Sequence, residues 1–295
     1  MDFSNLAPGR KVVVIHEDDV GMTHGANAAF AELSRLGALS CGSVMPPCPW
    51  FPEAVEMAKS DGKLDLGVHL TLTSEKKPYR WRPLTAPPRS AGLTDPMGYF
   101  WPNVPNARRA DPKAVEAELR AQIEAAIDAG LDVTHLDAHM GTVMCPEFVD
   151  IYLELGLDYK TPILMVKDYN TFNPRSYSGP MSSDKYEAAL ERAKASGFTV
   201  FDLVQETMWD RKTDAATAYR EAFRRIPEGL TFLSLHFNAP GDFEAVEPAY
   251  AHIRTDEYAL FKTGGPKRWA EEYGLEITGM RAMRDDLRAR WARSV

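Results

Sequence analysis

Hydrophobic runs alternate with segments of helical spacing along the whole chain, and this alternation constrains the fold more than any other feature of the sequence. Runs that predict strands lie at residues 11–16, 38–45, 64–70, 133–136, 162–166, 198–203, 230–236 and 275–278. Segments that predict helices lie at residues 26–36, 52–59, 112–129, 146–155, 185–195, 214–225 and 267–273. About eight such units favour an α/β fold in which seven or eight parallel strands form a TIM-like (β/α) barrel with helices outside.

No Gly/Ser-rich linker or internal repeat divides the sequence, so we expect residues 1–295 to form a single domain. The alternation is interrupted at residues 71–111, which contain seven prolines and several aromatic side chains. Prolines exclude a regular helix there, and a long loop inside a compact domain is usually functional. We therefore expect a lid over the catalytic face, next to a second irregular stretch at residues 168–183. The alternative is that both stretches are ordinary surface loops.

The charge balance and composition limit the partners. The chain has 34 Lys and Arg against 42 Asp and Glu, a formal net charge of -8, which argues against a nucleic-acid or anionic-membrane surface. No apolar run is long enough to span a membrane and the start lacks a secretory signal pattern, so we expect a cytoplasmic protein. Cys41, Cys48 and Cys145 form no CxxC pair and predict neither a disulfide framework nor a zinc–thiolate site. The expected partner is a small molecule, and a homodimer is left open.

Two adjacent carboxylates, Asp18 and Asp19, follow the first predicted strand. A strand that ends in charges and then in Gly21 places its acidic end at an edge of the fold, where α/β enzymes keep their chemistry. Two neighbouring aspartates repel each other and need a cation, a shared proton or bulk water to stay there together. A solvated acidic turn is the simplest interpretation of such a pair on its own, so the rest of the chain decides.

Four of the seven histidines, His69, His135, His139 and His236, lie at or just past the ends of predicted strands. A single histidine on an apolar strand is more often a hydrogen-bonded core residue, but in a parallel barrel these ends converge on one face with the two aspartates. Two imidazoles and one carboxylate with open positions form a hydrolytic metal site. Because His135, Asp137 and His139 are spaced two apart, Asp137 can orient a ligand imidazole. The spacing does not choose between the two histidines as the ligand.

Three segments together resemble a known family. They are the run from His16 to Gly21 with Asn27 following, residues 67–73 around His69, and residues 134–139 ending at His139. In order and spacing these segments resemble the YdjC-like (ChbG/HpnK) carbohydrate deacetylases. The resemblance implies a barrel related to polysaccharide deacetylases, one divalent metal ion, Mg²⁺ or Zn²⁺, and removal of an N-acetyl group from an amino sugar.

The resemblance also implies roles for individual residues. By position, Asp19, His69 and His139 resemble the metal ligands, Asp18 the carboxylate that acts as a base, and His236 the histidine that acts as an acid. A metal with these ligands would activate water and polarise the acetyl carbonyl. Asp18 would then accept the proton of the water, and His236 would protonate the departing amine.

The chain departs from the family pattern around these positions. Many members carry Asn-Ala where this chain has His16-Glu17, and a histidine-rich run where it has Met140-Gly141 onward; the late histidine is commonly followed by proline, but Phe237-Asn238-Ala239 intervene here. We expect these differences to affect substrate choice more than reaction type. Side chains expected to shape the site or bind substrate are His16, Glu17, Asn27, Asp137, Trp81, Arg175 and Asn238, with Trp101, Arg80 and Arg82 as further candidates. For the loop aromatics, anchoring of the loop is an equal alternative.

Two other functions use the same residues. The same metal site could hydrolyse another small substrate such as a phosphoester, because a barrel with Asp and His ligands does not choose the bond. However, the sequence contains no GxxxxGK or GxGxxG phosphate loop. A catalytically inactive carbohydrate- or metal-binding homologue would not need Asp18 and His236. Metal-dependent deacetylation is therefore the predicted function.

Overall fold

The computed structural model describes residues 2–169 and 183–293. Within these residues, seven parallel strands form one sheet. They are β1 (Lys11–Val20), β2 (Cys41–Val44), β3 (Leu66–Leu70), β4 (Leu136–Ala138), β5 (Leu203–Glu206), β6 (Gly229–Leu235) and β7 (Leu275–Thr278). The strand order is β4-β3-β2-β1-β6-β5, and β7 pairs with the first half of β1. All pairings are parallel, so the carboxyl ends of the strands lie at one edge. The predicted parallel α/β class is confirmed.

Helices flank the sheet, and several of them start at a side-chain cap. The helices of the described residues are α1 (His24–Leu36), α2 (Phe51–Ser60), α3 (Val104–Ala107), α4 (Pro112–Asp128), α5 (Val149–Asp158), α6 (Ser183–Ala195), α7 (Ala215–Arg225), α8 (Phe243–Val246), α9 (Ala251–Lys262), α10 (Gly265–Glu272) and α11 (Met280–Arg293), with 3-10 turns at Arg89–Ala91 and His139–Met144. The side chains of Thr23, Asp111 and Asp214 accept from backbone N–H groups at the starts of α1, α4 and α7. Because such caps are local signals, the predicted starts of α4 and α7 agree closely with the observed ones.

The sequence pattern predicts neither α9 nor α11, and the buried face of α11 shows why. Its buried residues are Met280, Met283, Arg284 and Leu287, so one buried position carries a guanidinium. Arg284 is paired there with Asp132, 152 residues away in the chain. A charged residue at an inward position hides the apolar stripe, and only the folded structure supplies the partner that allows its burial.

Residues 162–166, a predicted strand, do not form one of the seven strands. Leu164 N donates to Leu136 O (3.0 Å) and lies within 2.8 Å of the Tyr152 hydroxyl, while Phe201 N donates to this segment from the other side (2.8 Å). The segment therefore makes single bridges to β4 and to the chain before β5 instead of a regular ladder. The N–H of Leu164 is shared between Leu136 O and the Tyr152 hydroxyl, whereas in a regular ladder it would donate only to the neighbouring strand.

The carboxyl end of β1 is distorted at the two aspartates. Every residue from Val12 to Val20 is buried, and side chains in a regular strand alternate between faces. The register against β2 shifts between Glu17 and Val20, and Asp19 adopts a φ of 65°. Aspartate tolerates this left-handed conformation better than a β-branched residue does. As a result, Asp18 and Asp19 both line the same pocket at the edge of the sheet.

Residues 71–111, the predicted lid, are tied down by their own hydrogen bonds. Ser74 N donates to Trp101 O (2.8 Å), and the Trp81 indole N–H donates to Thr73 O (2.8 Å). The Trp81 side chain is only 2% exposed and belongs to the hydrophobic core. The loop is therefore anchored into the domain through its aromatic side chains, as the alternative interpretation of these residues expects.

Gly67 in β3 generates a stability prediction. A Cβ at this position would lie 2.5 Å from both Nδ1 and the carbonyl oxygen of His135, too close for any real contact. We expect Gly67→Ala to lower the free energy of unfolding by roughly 1–3 kcal/mol in urea denaturation, because one of the two overpacked atoms belongs to the backbone and cannot move aside by a side-chain rotation. Gly62→Ala is the matched control, since its Cβ would meet nothing within 4 Å. Equal stability of the two variants would contradict the close packing of β3 on His135.

Candidate functional site

Asp19, His69 and His139 meet at the carboxyl edge of the sheet. Asp19 Oδ1 lies 3.1 Å from His139 Nδ1 and 3.5 Å from His69 Nε2, and all three side chains are buried. Neither oxygen of Asp19 accepts a well-aligned hydrogen bond from the described residues. The carboxylate oxygen and the two imidazole nitrogens all lie within 4.8 Å of one another. Such a donor set, with a buried oxygen that lacks a hydrogen-bond partner, suits a divalent metal ion.

Each of the two histidines is held at its other nitrogen by a carboxylate. His69 Nδ1 donates to Asp137 Oδ1 (2.9 Å), and Ser43 Oγ donates to the second oxygen of Asp137 (2.9 Å). His139 Nε2 lies 3.1 Å from Glu75 Oε2. Carboxylates in this position fix the ring orientation of a ligand imidazole and raise its basicity. The expected orienting role of Asp137 thus has the required geometry, and Glu75 provides the same for His139.

Electrostatics reinforce this arrangement. Burial alone would lower the pKa of His139, but the neighbouring carboxylates of Glu75 and Asp19 outweigh it and raise that pKa to about 10. Burial also opposes a charge on His69, and Asp137 reverses the effect and raises the pKa of His69. An excess of negative charge around two imidazoles attracts either protons or a cation, and a metal ion would displace the protons.

Asp18 is fixed at both oxygens and still faces the pocket. Oδ1 lies 2.7 Å from His16 Nδ1, and Oδ2 accepts from Ser234 Oγ (2.6 Å). Burial raises the pKa of Asp18, but the hydrogen bond from His16 and the charge of His69 pull it well below the usual range. Asp18 is therefore an ionised carboxylate held in one orientation.

His236 lies across from Asp18, just past the end of β6. Its Nε2 is 3.8 Å from Asp18 Oδ2, and its Nδ1 is 2.9 Å from Thr207 Oγ1, whose hydroxyl donates to Glu257 Oε2 (3.0 Å). A hydroxyl that donates to Glu257 accepts from His236 Nδ1, which leaves Nε2 as an acceptor toward the pocket. Burial and the charge of Arg254 lower the pKa of His236 to about 4, so the ring is neutral near pH 7.

Arg254, on the unpredicted helix α9, is a pocket residue that sequence reasoning missed. Its Nη2 lies 2.8 Å from Asp19 Oδ2, and its guanidinium stacks over the ring of Phe243 (4.3 Å to the centroid). Arg254 thereby neutralises one oxygen of Asp19 and leaves Oδ1 directed at His69 and His139. No motif marks it, because its role depends on α9 packing over the end of β1.

Several predicted residues lie elsewhere. Asn27 Oδ1 accepts from Gly21 N (2.7 Å) and so shapes the turn after β1, while Asn238 accepts from the Thr23 hydroxyl (2.7 Å). Both residues hold loops and do not line the pocket. Glu17 is buried without a hydrogen bond from the described chain, and burial raises its pKa well above the ordinary value. Glu17 lies outside the pocket.

The expected substrate contacts need a correction. Trp81 is buried with its ring 6.1 Å from that of His139, so it packs behind a candidate ligand and offers no free face to a sugar. Arg80 is paired with Asp95 inside the loop, and Arg175 lies outside the described residues. The aromatic side chains that line the pocket in the described part of the chain are instead Trp209, whose ring is 4.9 Å from that of His236, and Tyr250.

The two histidines between which the spacing could not choose occupy different places. His139 lies beside Asp19 at the pocket, whereas His135 is fully buried beneath it with Nε2 2.9 Å from His16 Nε2. His139 starts a 3-10 turn in which Met140 adopts a φ of 55°. The chain therefore stops being extended at His139. Strict alternation along an extended chain would have directed the His135 and His139 rings to the same side.

The fold and the site together define a class of protein. It is a parallel α/β protein with buried Asp and His side chains, suited to a metal ion, at the carboxyl edge of its sheet. The chain is a member of the YdjC-like protein family, whose sequence profile matches residues 12–272. The family expected from the motifs is thereby confirmed. Among the described residues, no helix is both long and apolar enough to cross a membrane.

Individual relatives support the same grouping. A carbohydrate deacetylase from Thermus thermophilus is 42% identical over 153 residues, which cover 52% of this chain and 52% of the relative. A carbohydrate deacetylase from Thermoanaerobacter pseudethanolicus is 29% identical over 154 residues, 52% of this chain and 59% of the relative. The matched part thus spans little more than half the length of these relatives.

A solved structure shows the same fold over nearly the full length. The protein, from Enterococcus faecalis, is named as a candidate cellobiose-phosphate cleavage protein and is 22% identical. The similarity covers 93% of this chain and 99% of that chain, with a TM-score of 0.75. At this identity the similarity concerns the fold alone.

Glu257 makes the free energy of unfolding depend on pH in a way that can be tested. Burial raises its pKa to about 7 from the ordinary 4.5, so the folded protein keeps a proton that the unfolded chain releases. This contribution to stability is lost as pH rises from about 4.5 through about 7. Glu257→Gln removes the loss, so the variant should gain roughly 1–3 kcal/mol relative to the wild type between about pH 5 and about pH 8 in urea unfolding. The exposed Glu56→Gln is the control, and a pH-independent difference for Glu257→Gln would contradict the assignment.

Proposed function

We propose that this protein is a metal-dependent hydrolase that removes an N-acetyl group from an amino sugar or a short oligosaccharide. The observation that carries the proposal is the arrangement of an ionised, doubly anchored Asp18 next to the Asp19, His69 and His139 cluster in one pocket. Relatives named carbohydrate deacetylases, 42% and 29% identical over about half the chain, support it.

Asp19, His69 and His139 would hold the metal ion. Mixed carboxylate and imidazole donors suit Zn²⁺ and several other divalent ions, so Mg²⁺ and Zn²⁺ both stay candidates. When bound, such an ion lowers the pKa of a coordinated water and polarises the acetyl carbonyl. Arg254 keeps Asp19 from turning, because it holds the oxygen opposite the two imidazoles.

Asp18 and His236 would move the protons. Amide hydrolysis requires a base for the attacking water and an acid for the departing amine. Asp18 is ionised and therefore able to accept, and His236 Nε2 starts as an acceptor 3.8 Å from Asp18 Oδ2. The proton that Asp18 takes from water can reach His236 across this gap, and His236 then donates it to the amine.

The pocket favours a neutral substrate over a phosphorylated one. Its lysine and arginine side chains in the described residues are Lys76 and Arg254, and both are already paired, with Glu247 and Asp19 respectively. A phosphate would have to compete with these carboxylates. Trp209, next to His236, and Tyr250, next to Trp209, offer apolar ring surface, as the apolar face of a sugar ring requires.

The proposal also covers the closure of the sheet and the location of the protein in the cell. We propose that residues 162–166 close the sheet into a barrel, because they bridge β4 on one side and the chain before β5 on the other. We also propose action in the cytoplasm, where the three buried free cysteines, Cys41, Cys48 and Cys145, stay reduced.

Acetate release tests the function directly. Metal-free protein, supplied in turn with Mg²⁺, Zn²⁺ or Co²⁺, is incubated with a panel of N-acetylated monosaccharides and disaccharides and, in parallel, with sugar phosphates. We expect acetate from at least one N-acetylated sugar, only with added metal. Phosphate release without acetate would favour the phosphoester alternative, and neither product despite a tightly bound metal would favour a binding protein.

Asp18→Asn tests the base. The amide keeps the size of the carboxylate but cannot accept the water proton, so we expect kcat for acetate release to fall by on the order of a hundredfold or more with metal affinity largely intact. Asp214→Asn is the matched control, because asparagine also caps α7 where Asp214 now accepts from Thr217 N. Unchanged turnover of Asp18→Asn would exclude the role.

A further inference from the structure

Beneath Asp18 lies a pair of buried histidines that the proposed reaction does not use. His16 Nδ1 is 2.7 Å from Asp18 Oδ1, and His16 Nε2 is 2.9 Å from His135 Nε2. On its far side, His135 Nδ1 is 3.0 Å from the Thr134 hydroxyl. Both rings are fully buried, and the His16 ring packs 4.8 Å from the ring of Phe232.

The hydrogen-bond partners of His16 determine which of its ring nitrogens carries a hydrogen next to Asp18. A carboxylate that serves as a base is ionised, and its oxygens only accept hydrogen bonds. His16 Nδ1 must therefore carry a hydrogen and donate it to Asp18 Oδ1. At the other side of the ring, one of the two facing Nε2 atoms of His16 and His135 carries the hydrogen between them. Either choice leaves the donation from His16 to Asp18 unchanged.

His16 cannot easily turn away from Asp18. Rotation of its ring by half a turn would bring carbon atoms to the positions where nitrogen now faces Asp18 and His135, and it would leave both partners unpaired in a buried site. His135 is itself fixed, because Gly67 packs against its ring and its carbonyl oxygen. The support of Asp18 thus continues into the wall of the sheet.

We propose that His16, held in place by His135, is a positioning residue that keeps Asp18 aimed at the reacting water through an Nδ1–H donor. This inference rests on the proposed function only in that Asp18 is the base. With Oδ1 held by His16 and Oδ2 by Ser234, both oxygens of Asp18 keep fixed positions, and Oδ2 stays within 3.9 Å of His69 Nε2 and 3.8 Å of His236 Nε2. The carboxylate cannot rotate toward Asp19 or into solvent.

Two substitutions at His16 separate the donor from simple packing. His16→Leu fills similar space without a donor, so kcat for acetate release should fall roughly tenfold to a hundredfold while KM and the metal dissociation constant change less than about threefold. In His16→Asn the side-chain amide takes the place of Nδ1–H, and kcat should return to within about threefold of the wild type. His135→Leu, which removes only the support of His16, should fall between the two. The exposed His24→Leu is the control on a histidine outside the pocket.

A spectroscopic readout on the wild type needs no turnover. In protein with ¹⁵N-labelled histidine, His16 Nδ1, assigned by its loss in His16→Asn, should show the chemical shift of a protonated ring nitrogen near neutral pH. An unprotonated Nδ1 would overturn the proposal, as would equal kcat values for His16→Leu and His16→Asn. If the wild type releases no acetate while Nδ1 is protonated, the proposed function fails and the hydrogen bond stands.

Discussion

The repulsion between Asp18 and Asp19 is the constraint on which the rest of the site depends. Two buried neighbouring carboxylates are tolerated only if each has compensating partners of its own. Asp18 is paired with His16 and Ser234, whereas Asp19 faces Arg254 and His139. The backbone assists, because the positive φ at Asp19 and the register shift beside it allow both side chains to face one pocket.

The compensating partners come from separate elements, so the site forms only when the sheet is assembled. Ser234 lies on β6, and His139 lies just after β4, while Arg254 is brought over the end of β1 by α9. Parallel pairing sets these strand ends at one edge. The two carboxylates therefore end with different environments: Asp18 is ionised and held at both oxygens by His16 and Ser234, and Asp19 is directed at two imidazoles. This division matches the unequal roles that a base and a metal ligand require.

Local signals in the sequence predict much of this arrangement, and long-range pairings explain the rest. The β-branched run before Asp18 and the histidines at strand ends are visible because period and position are local properties. Arg254 and Glu75 are not visible, because a charged residue near a site looks like any surface charge until the fold supplies its partner. The aromatic residue Trp81 misleads for the opposite reason: its indole N–H finds Thr73 O inside the loop and the ring becomes core.

The central claim is that Asp19, His69 and His139 hold one divalent ion, and a Co²⁺ titration of metal-free protein followed by visible absorption tests it most directly. We expect bands of a nitrogen- and oxygen-coordinated ion that saturate at one equivalent per chain. Binding should be at least about tenfold weaker in His139→Gln and nearly unchanged in His135→Gln. Equal binding in the wild type and His139→Gln, or loss of binding in His135→Gln alone, would contradict the account.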